Sequence, residues 1–153
     1  MAEPINFPST TSNTQLPLLF TGQAQKEFFL NRSFAILDAL TLQLIEAMQD
    51  APPTDPIDGS SYLVGTSPTG EWAGYAEHLA LRIGESWHFV SPAEGMELYD
   101  RSGQVKRHYA SGWSAALPPS SPTGGAVIDV EARSAISELV STLQAAGILG
   151  DPT

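Results

Sequence analysis

TGQAQKEFFLNRSFAILDALTLQLIEAMQ, residues 21–49, lies within the longest proline-free run of the chain and holds a single glycine. Good helix formers dominate it, and Leu30, Phe34, Leu37, Thr41, Leu44 and Met48 recur at alternating spacings of four and three. That period predicts a helix, with Thr21 as N-cap and Pro52–Pro53 barring extension beyond Asp50. At a rise of 1.5 Å per residue, the helix would be about 42 Å long, more than one small domain covers. Leu30, Phe34, Leu37, Leu44 and Met48 are therefore the expected seam of a homo-oligomer, the alternative being a long or broken core helix of a monomer.

On the N-terminal side, residues 1–20 hold Pro4, Pro8 and Pro17 among Ser, Thr and Asn. They form an arm with too little apolar surface to order itself, either floppy or an extended strand held by something else, and Leu16–Phe20 is expected to dock. On the C-terminal side, APPTDPIDGS (51–60) is a turn-rich linker. Residues 61–116 then read as a small antiparallel β module. Candidate strands are Ser61–Val64, Glu71–Tyr75, His78–Ile83, Trp87–Val90, Met96–Tyr99, Gln104–Tyr109 and Gly112–Ala115, separated by PTG, GES, PAEG and RSG turns. A Pro/Gly linker (117–128) leads to a second helix over 129–150. Asp129 is its N-cap, Glu131 stands in its first turn, and Gly147 is its C-cap, with Ile148 folding back. The fold class is α+β: a long N-terminal helix, a β module of hairpins and a C-terminal helix.

Seven Lys+Arg against 17 Asp+Glu give the 153-residue chain a net charge of −10, which repels a polyanion and argues against nucleic-acid binding. With no cysteine, disulfides, thiolate zinc sites and cysteine nucleophiles are excluded. Neither an export signal nor a membrane span is expected at the start, and no later run approaches about twenty apolar residues.

No HExxH, GxSxG, GxGxxG or GxxxxGK[ST] pattern is present, so no reaction and no cofactor or metal is expected. His78, His88 and His108 read as edge or surface residues. Glu94, Glu97 and Asp100 read as a solvated acidic face, the other reading being the carboxylate pair of a glycoside hydrolase. Arg101, Lys106 and Arg107 form a small basic group, split by strand alternation: Lys106 and His108 point one way, Arg107 and Tyr109 the other. Trp72, Tyr75, Trp87 and Tyr109 are candidates for receiving a sugar ring or a protein partner, against core packing as the plainer reading. A buried indole here should find an acceptor for its N–H.

The run LPLLFTGQAQKEFFLNRSFAILDAL, the PP and DG linker, YLVG, PTGEWAG and GESWHFVSPAEGMELY together resemble a domain family of formally unknown function. That family recurs in phage, prophage and gene-transfer-agent structural genes. The matching positions are Gln23, Gln25, Lys26, Glu27, Asn31, Leu37, Asp38 and Leu40, then Gly59, Trp72, Gly74, Gly84, Trp87, Pro92 and Gly95. VIDVEARSAISELVSTLQAAGIL resembles a tail attached to the same domain, matching Asp129, Glu131, Arg133, Ala135, Ile136, Leu139 and Leu143. Phe28–Phe29 departs from the small or charged pair more usual there. The resemblance implies a virion component: the base of a head spike, joining capsid protein to a spike or fibre protein and assembled in the bacterial cytoplasm. Residues 1–15 would serve it as a hook. The alternative it implies is a carbohydrate-binding module for host capsule polysaccharide; a capsule-degrading enzyme is a minor third.

Overall fold

The computed structural model describes residues 9–19, 21–22, 26–125 and 129–150. The first helix, α1, spans Lys26–Leu42 and is shorter than the periodicity predicts. Gln43 takes a left-handed φ of 48°, which ends the helix, and Leu44–Ile45 (β1) and Met48–Gln49 (β2) are extended. Backbone pairing with the next strand takes over from helical propensity. Glu46 donates its N–H to Ser61 O (2.8 Å), Leu63 to Ala47 O (3.0 Å) and Gly65 to Gln49 O (2.9 Å). Leu44 and Met48 therefore leave the helical seam, which keeps only Leu30, Phe34 and Leu37.

The β segment divides between two compact units, Met1–Pro92 and Ala93–Thr153, so it is not one module. The break falls at the PAEG turn. In the first unit β2, β3 (Ser61–Val64), β4 (Leu79–Ile83) and β5 (Ser86–Val90) form a sheet in that order. The pairing is antiparallel except for β2 and β3, which run parallel. Leu79, Ala80 and Leu81 of β4 are all buried, as a central strand with both faces covered requires. One face packs on α1; the other carries Val64, Ala80 and Trp72 with Tyr62, Trp87 and Phe89 against them.

Glu71–Tyr75, expected as a strand, is a 3₁₀ turn over Gly70–Trp72 followed by a further turn. Gly70 (φ +61°) and Gly74 (φ +90°) bracket it in conformations that do not occur within a strand, and the turn drives Trp72 into the core. The indole has no accessible surface, and its Nε1–H has no acceptor among the described residues, contrary to expectation.

In the second unit β6 (Glu97–Asp100), β7 (Val105–Tyr109) and β8 (Trp113–Ala115) form an antiparallel meander. The expected alternation holds: Lys106 and His108 are exposed, Arg107 and Tyr109 half-buried. Helix α2, Val130–Ala145, starts as the sequence predicts, the Asp129 carboxylate accepting Ala132 N–H at 2.8 Å. Gly147 closes it with φ +68°, and Ile148 N–H returns to Leu143 O (2.9 Å) while the Ile148 side chain stays exposed. A Cβ at Gly147 would lie 2.8 Å from the Tyr99 ring. No helix among the described residues is long and apolar enough to cross a membrane.

Candidate functional site

Around α1, Glu27, Asn31 and Asp38 fall within about 40° of one another at 3.6 residues per turn. This polar flank is turned inward: Glu27 and Asp38 are buried, Asn31 is half-buried, and what they face is backbone. Asp38 accepts the amides of Asn13 (2.8 Å) and Thr14 (2.6 Å) and the Thr14 hydroxyl. The Asn31 carboxamide accepts Leu19 N–H (2.8 Å) and donates to Leu19 O (3.0 Å), as a neighbouring strand would. Glu27 Oε1 accepts Gly22 N–H at 3.1 Å. The partner segment thus runs antiparallel to the helix, and its amides find acceptors that its own sequence cannot supply.

Residues 9–18 are themselves folded back as a hairpin. Thr10 pairs with Pro17, Thr11 N–H reaches Leu16 O (2.9 Å), and Leu18 N–H reaches Ser9 O (3.1 Å). The DG pair of the linker grips the hairpin tip: Ser12 Oγ donates to Asp58 (2.9 Å) and Asn13 Nδ2 to Gly59 O (3.2 Å). Gly59, at φ +82°, has to be glycine, since a Cβ would lie 2.4 Å from Ser12 Cβ. This corrects the expected free arm over its described part: residues 9–19 belong to the fold. Residues 1–8, the rest of the expected hook, lie outside the described residues.

Burial alone would raise the Asp38 pKa; the hydrogen bonds from Thr14, Asn13 and Thr11 outweigh it and hold the carboxyl below its ordinary 3.8. Asp100 follows the same pattern. Burial opposes ionisation, but the Arg107 guanidinium (Nε to Oδ2, 2.8 Å), Ser102 and the Gly103 amide keep it ionised below 3.8. Asp100 is therefore a buried turn and ion-pair residue, not part of a solvated face. Glu94 and Glu97 are exposed, and Glu94 accepts the Ser111 amide at 3.3 Å.

Away from its polar flank, α1 leaves apolar side chains open on more than one side. Phe28 (68%), Phe29 (78%), Leu30 (42%) and Leu37 (54%) are exposed, and Phe34 is half-buried. Helix α2 has no buried residue; Ile136 and Leu139 stand open on it. It is tied down at its last turn, where Lys106 N–H donates to Gly147 O (2.8 Å) and Gln144 Nε2 to Gly150 O (3.1 Å). Near its start Arg133 reaches the carbonyls of Pro122 (2.8 Å) and Gly124 (2.5 Å). Between Leu117–Pro122 and the Ile136–Val140 side of α2 runs a groove of about 500 Å³.

The aromatic candidates are not brought to one place. Trp72 is core, inaccessible to any sugar. Trp87 is half-buried, edge-on to Trp72 (5.1 Å between centroids) with the Arg82 guanidinium 5.4 Å over its ring. Tyr75, 40% exposed, stacks flat on Phe89 at 3.6 Å. Tyr109 belongs to the second unit, edge-on to Trp113. His88 is half-buried on β5; burial, then the Arg32 charge, lowers its pKa below 6.5. No cluster of three or more His, Asp or Glu side chains among the described residues could hold a metal ion.

Sequence reasoning missed the α1 clamp. Its signal was present as a second, polar stripe at helical spacing, hidden by the apolar stripe beside it.

A family model described as "Protein of unknown function (DUF2793)" matches residues 30–114, more than half of the chain. No curated protein matches it.

Proposed function

Starting from the fact that the chain belongs to the DUF2793 family, whose description assigns no function, we propose that it is a structural adaptor of a phage-like particle. In this reading it is the base of a head spike, joining capsid protein to a receptor-binding fibre. The observation that carries it is the pair of helix faces left uncovered. α1 directs Glu27, Asn31 and Asp38 inward and leaves Phe29 and Leu37 exposed, and α2 has no fully buried residue. A short helix is marginal in water without an apolar partner, so two such faces suit a part that is completed by its neighbours. Symmetric repetition of weak contacts would then supply retention. In this reading the helices carry the grip, and residues 9–15 of the expected hook are folded against the chain itself.

A gradient tests this reading. With the chain tagged in its native locus, the tag is expected to co-sediment with purified particles, and particles from a deletion strain are expected to lack fibre. A tag found only in the soluble fraction, with fibre retained in the deletion strain, overturns the adaptor.

The carbohydrate-binding reading keeps one supporting observation, the exposed Tyr75 ring stacked on Phe89. It requires capsule polysaccharide to be retained by the purified chain and lost with Tyr75→Ala while the fold persists.

A further inference from the structure

The geometry points to an acyl-transfer site at one end of the aromatic face of the first unit. Ser91 is its nucleophile, His78 the base, and a carboxylic ester carrying a flat apolar group the substrate. This goes beyond the adaptor reading and does not depend on it. Backbone register brings the pair together. Val64 N–H donates to His78 O and Arg82 N–H to Ser60 O, both at 2.9 Å, so the even-numbered residues of β4 turn their backbone groups to β3 and the odd-numbered ones to β5. His78 and Ser91 stand one step beyond the Leu79–Val90 pair, opposite one another with no backbone bond between them. In that arrangement facing side chains come closest, and both lie on the face that carries Ala80 and Phe89.

The hydrogen bonds then fix the state of the ring. Ser91 Oγ lies 3.1 Å from His78 Nε2, and His78 Nδ1 lies 2.9 Å from Ala76 O. A carbonyl only accepts, so Nδ1 carries the ring hydrogen and Nε2 keeps its lone pair for the Ser91 hydroxyl, which donates. A nucleophile, a base within reach and a third group that sets the tautomer of the base are the parts of an activated serine, with a main-chain carbonyl here in the third role. Between Ala76 and His78, Glu77 holds a left-handed φ of 63°, a conformation that few residues with a side chain adopt. The Ser91 N–H points away from β4, because Val90 O in the same peptide plane faces Leu79, and it supplies a donor for the oxyanion at the nucleophile itself.

A platform for the substrate adjoins the pair. The exposed Tyr75 ring lies flat on Phe89 (3.6 Å) and edge-on to His78 (5.7 Å between centroids). A planar group stacked on Tyr75 is one ring away from the base, and Ser91 is exposed to both ester and water. Oγ attacks the carbonyl carbon and its proton passes to Nε2; the ester C–O bond breaks and the leaving alcohol takes that proton. Water then attacks the acyl-Ser91, gives a proton to Nε2, and the carboxylic acid departs as the proton returns to Oγ.

The full chain is tested with p-nitrophenyl acetate, with circular dichroism as the fold check. Wild type is expected to release p-nitrophenolate at least about tenfold faster than Ser91→Ala or His78→Ala. Mass spectrometry of quenched wild type is expected to find acetyl on the peptide that holds Ser91, a readout that needs no variant. Added imidazole is expected to restore turnover to His78→Ala and not to Ser91→Ala, which a merely structural histidine would not do. Tyr75→Ala is expected to raise KM and keep kcat. Ser114, whose Oγ lies 3.3 Å from His108 Nδ1 and 3.5 Å from His108 O in the second unit, is the control: Ser114→Ala is expected to change nothing.

Turnover no faster than that of Ser91→Ala overturns the inference. So does acetyl found only on other side chains, or a His78→Ala chain that imidazole leaves inert. The particle gradient decides the adaptor reading separately, since neither result bears on the other.

Discussion

Helix α1 keeps Glu27, Asn31 and Asp38 inside and Phe29, Leu30 and Leu37 outside, whereas α2 has no fully buried residue, only a half-buried side at Arg133, Val140, Leu143 and Gln144, and is held by its closing turn and by Arg133. Both helices leave apolar side chains open, but only α1 has a polar flank that is buried. What lies beneath it is a hairpin whose amides need acceptors, and a carboxylate serves an amide where a leucine would leave it unsatisfied. The direction in which a helix faces is thus set by what its neighbour lacks, and apolar content alone does not predict it.

The largest way to break this contrast is Asp38→Ala. Two backbone amides and a hydroxyl lose a charged acceptor in a buried place, so the first unit is expected to lose about 3 kcal/mol of stability, read by urea unfolding. Residues 9–19 are expected to become the first site of proteolysis in that variant. Asp38→Asn, which keeps the shape but not the charge, is expected to fall between it and wild type.

A smaller loss is expected on acidification. The folded pKa values of Asp38 and Asp100 are lowered, so their contribution is complete above 3.8 and is lost as pH falls through the lower folded values. His88 adds a shallow decline that begins below 6.5, because its lowered pKa makes the unfolded chain the better proton acceptor. Stability measured from pH 8 to 3 should therefore fall gently and then steeply. Amide exchange should rise first at Asn13, Thr14 and Gly103; a maximum of stability at pH 4 would contradict the assignment.

At α2 the tether is the sensitive point. Gly147→Ala places a methyl 2.8 Å from the Tyr99 ring at a left-handed φ and is expected to cost about 1–2 kcal/mol in thermal unfolding. The smallest effects sharpen the comparison most. Leu37→Ser and Leu139→Ser, on the two open faces, are expected to shift single-chain stability by no more than about 0.5 kcal/mol. A loss several times larger at either position would mean that the face is covered within its own chain.

The strands were legible wherever apolar alternation was bounded by turn residues. Ser61–Val64 is as predicted, four others differ by a residue at one end, and Met96–Tyr99 is shifted by one residue to Glu97–Asp100. Glu71–Tyr75 misled because Trp72 and Tyr75 look like strand residues, while the glycines that flank Trp72 carry the decisive information in φ. The end of α1 was illegible for another reason. Leu44, Ile45 and Met48 continue a helical period without fault, and the partner strand Ser61–Val64 that draws Met48–Gln49 into β2 is distant in sequence. The inward flank was legible residue by residue, since a polar triple at one angular position on a helix needs a partner. The identity of that partner as the backbone of Asn13, Thr14, Leu19 and Gly22 was not legible, because backbone groups leave no trace in composition.

The clamp also sets an order of events during synthesis. The hairpin tip at Asn13 leaves the ribosome 25 residues ahead of Asp38 and 46 ahead of Gly59, the two groups that hold it. Until Asp38 has emerged, the amides of Asn13 and Thr14 lack the acceptor that holds them, so the hairpin tip settles after the helix that follows it. A translational pause placed between codons 38 and 59 would leave it held from one side only, open to any chaperone that reads extended backbone.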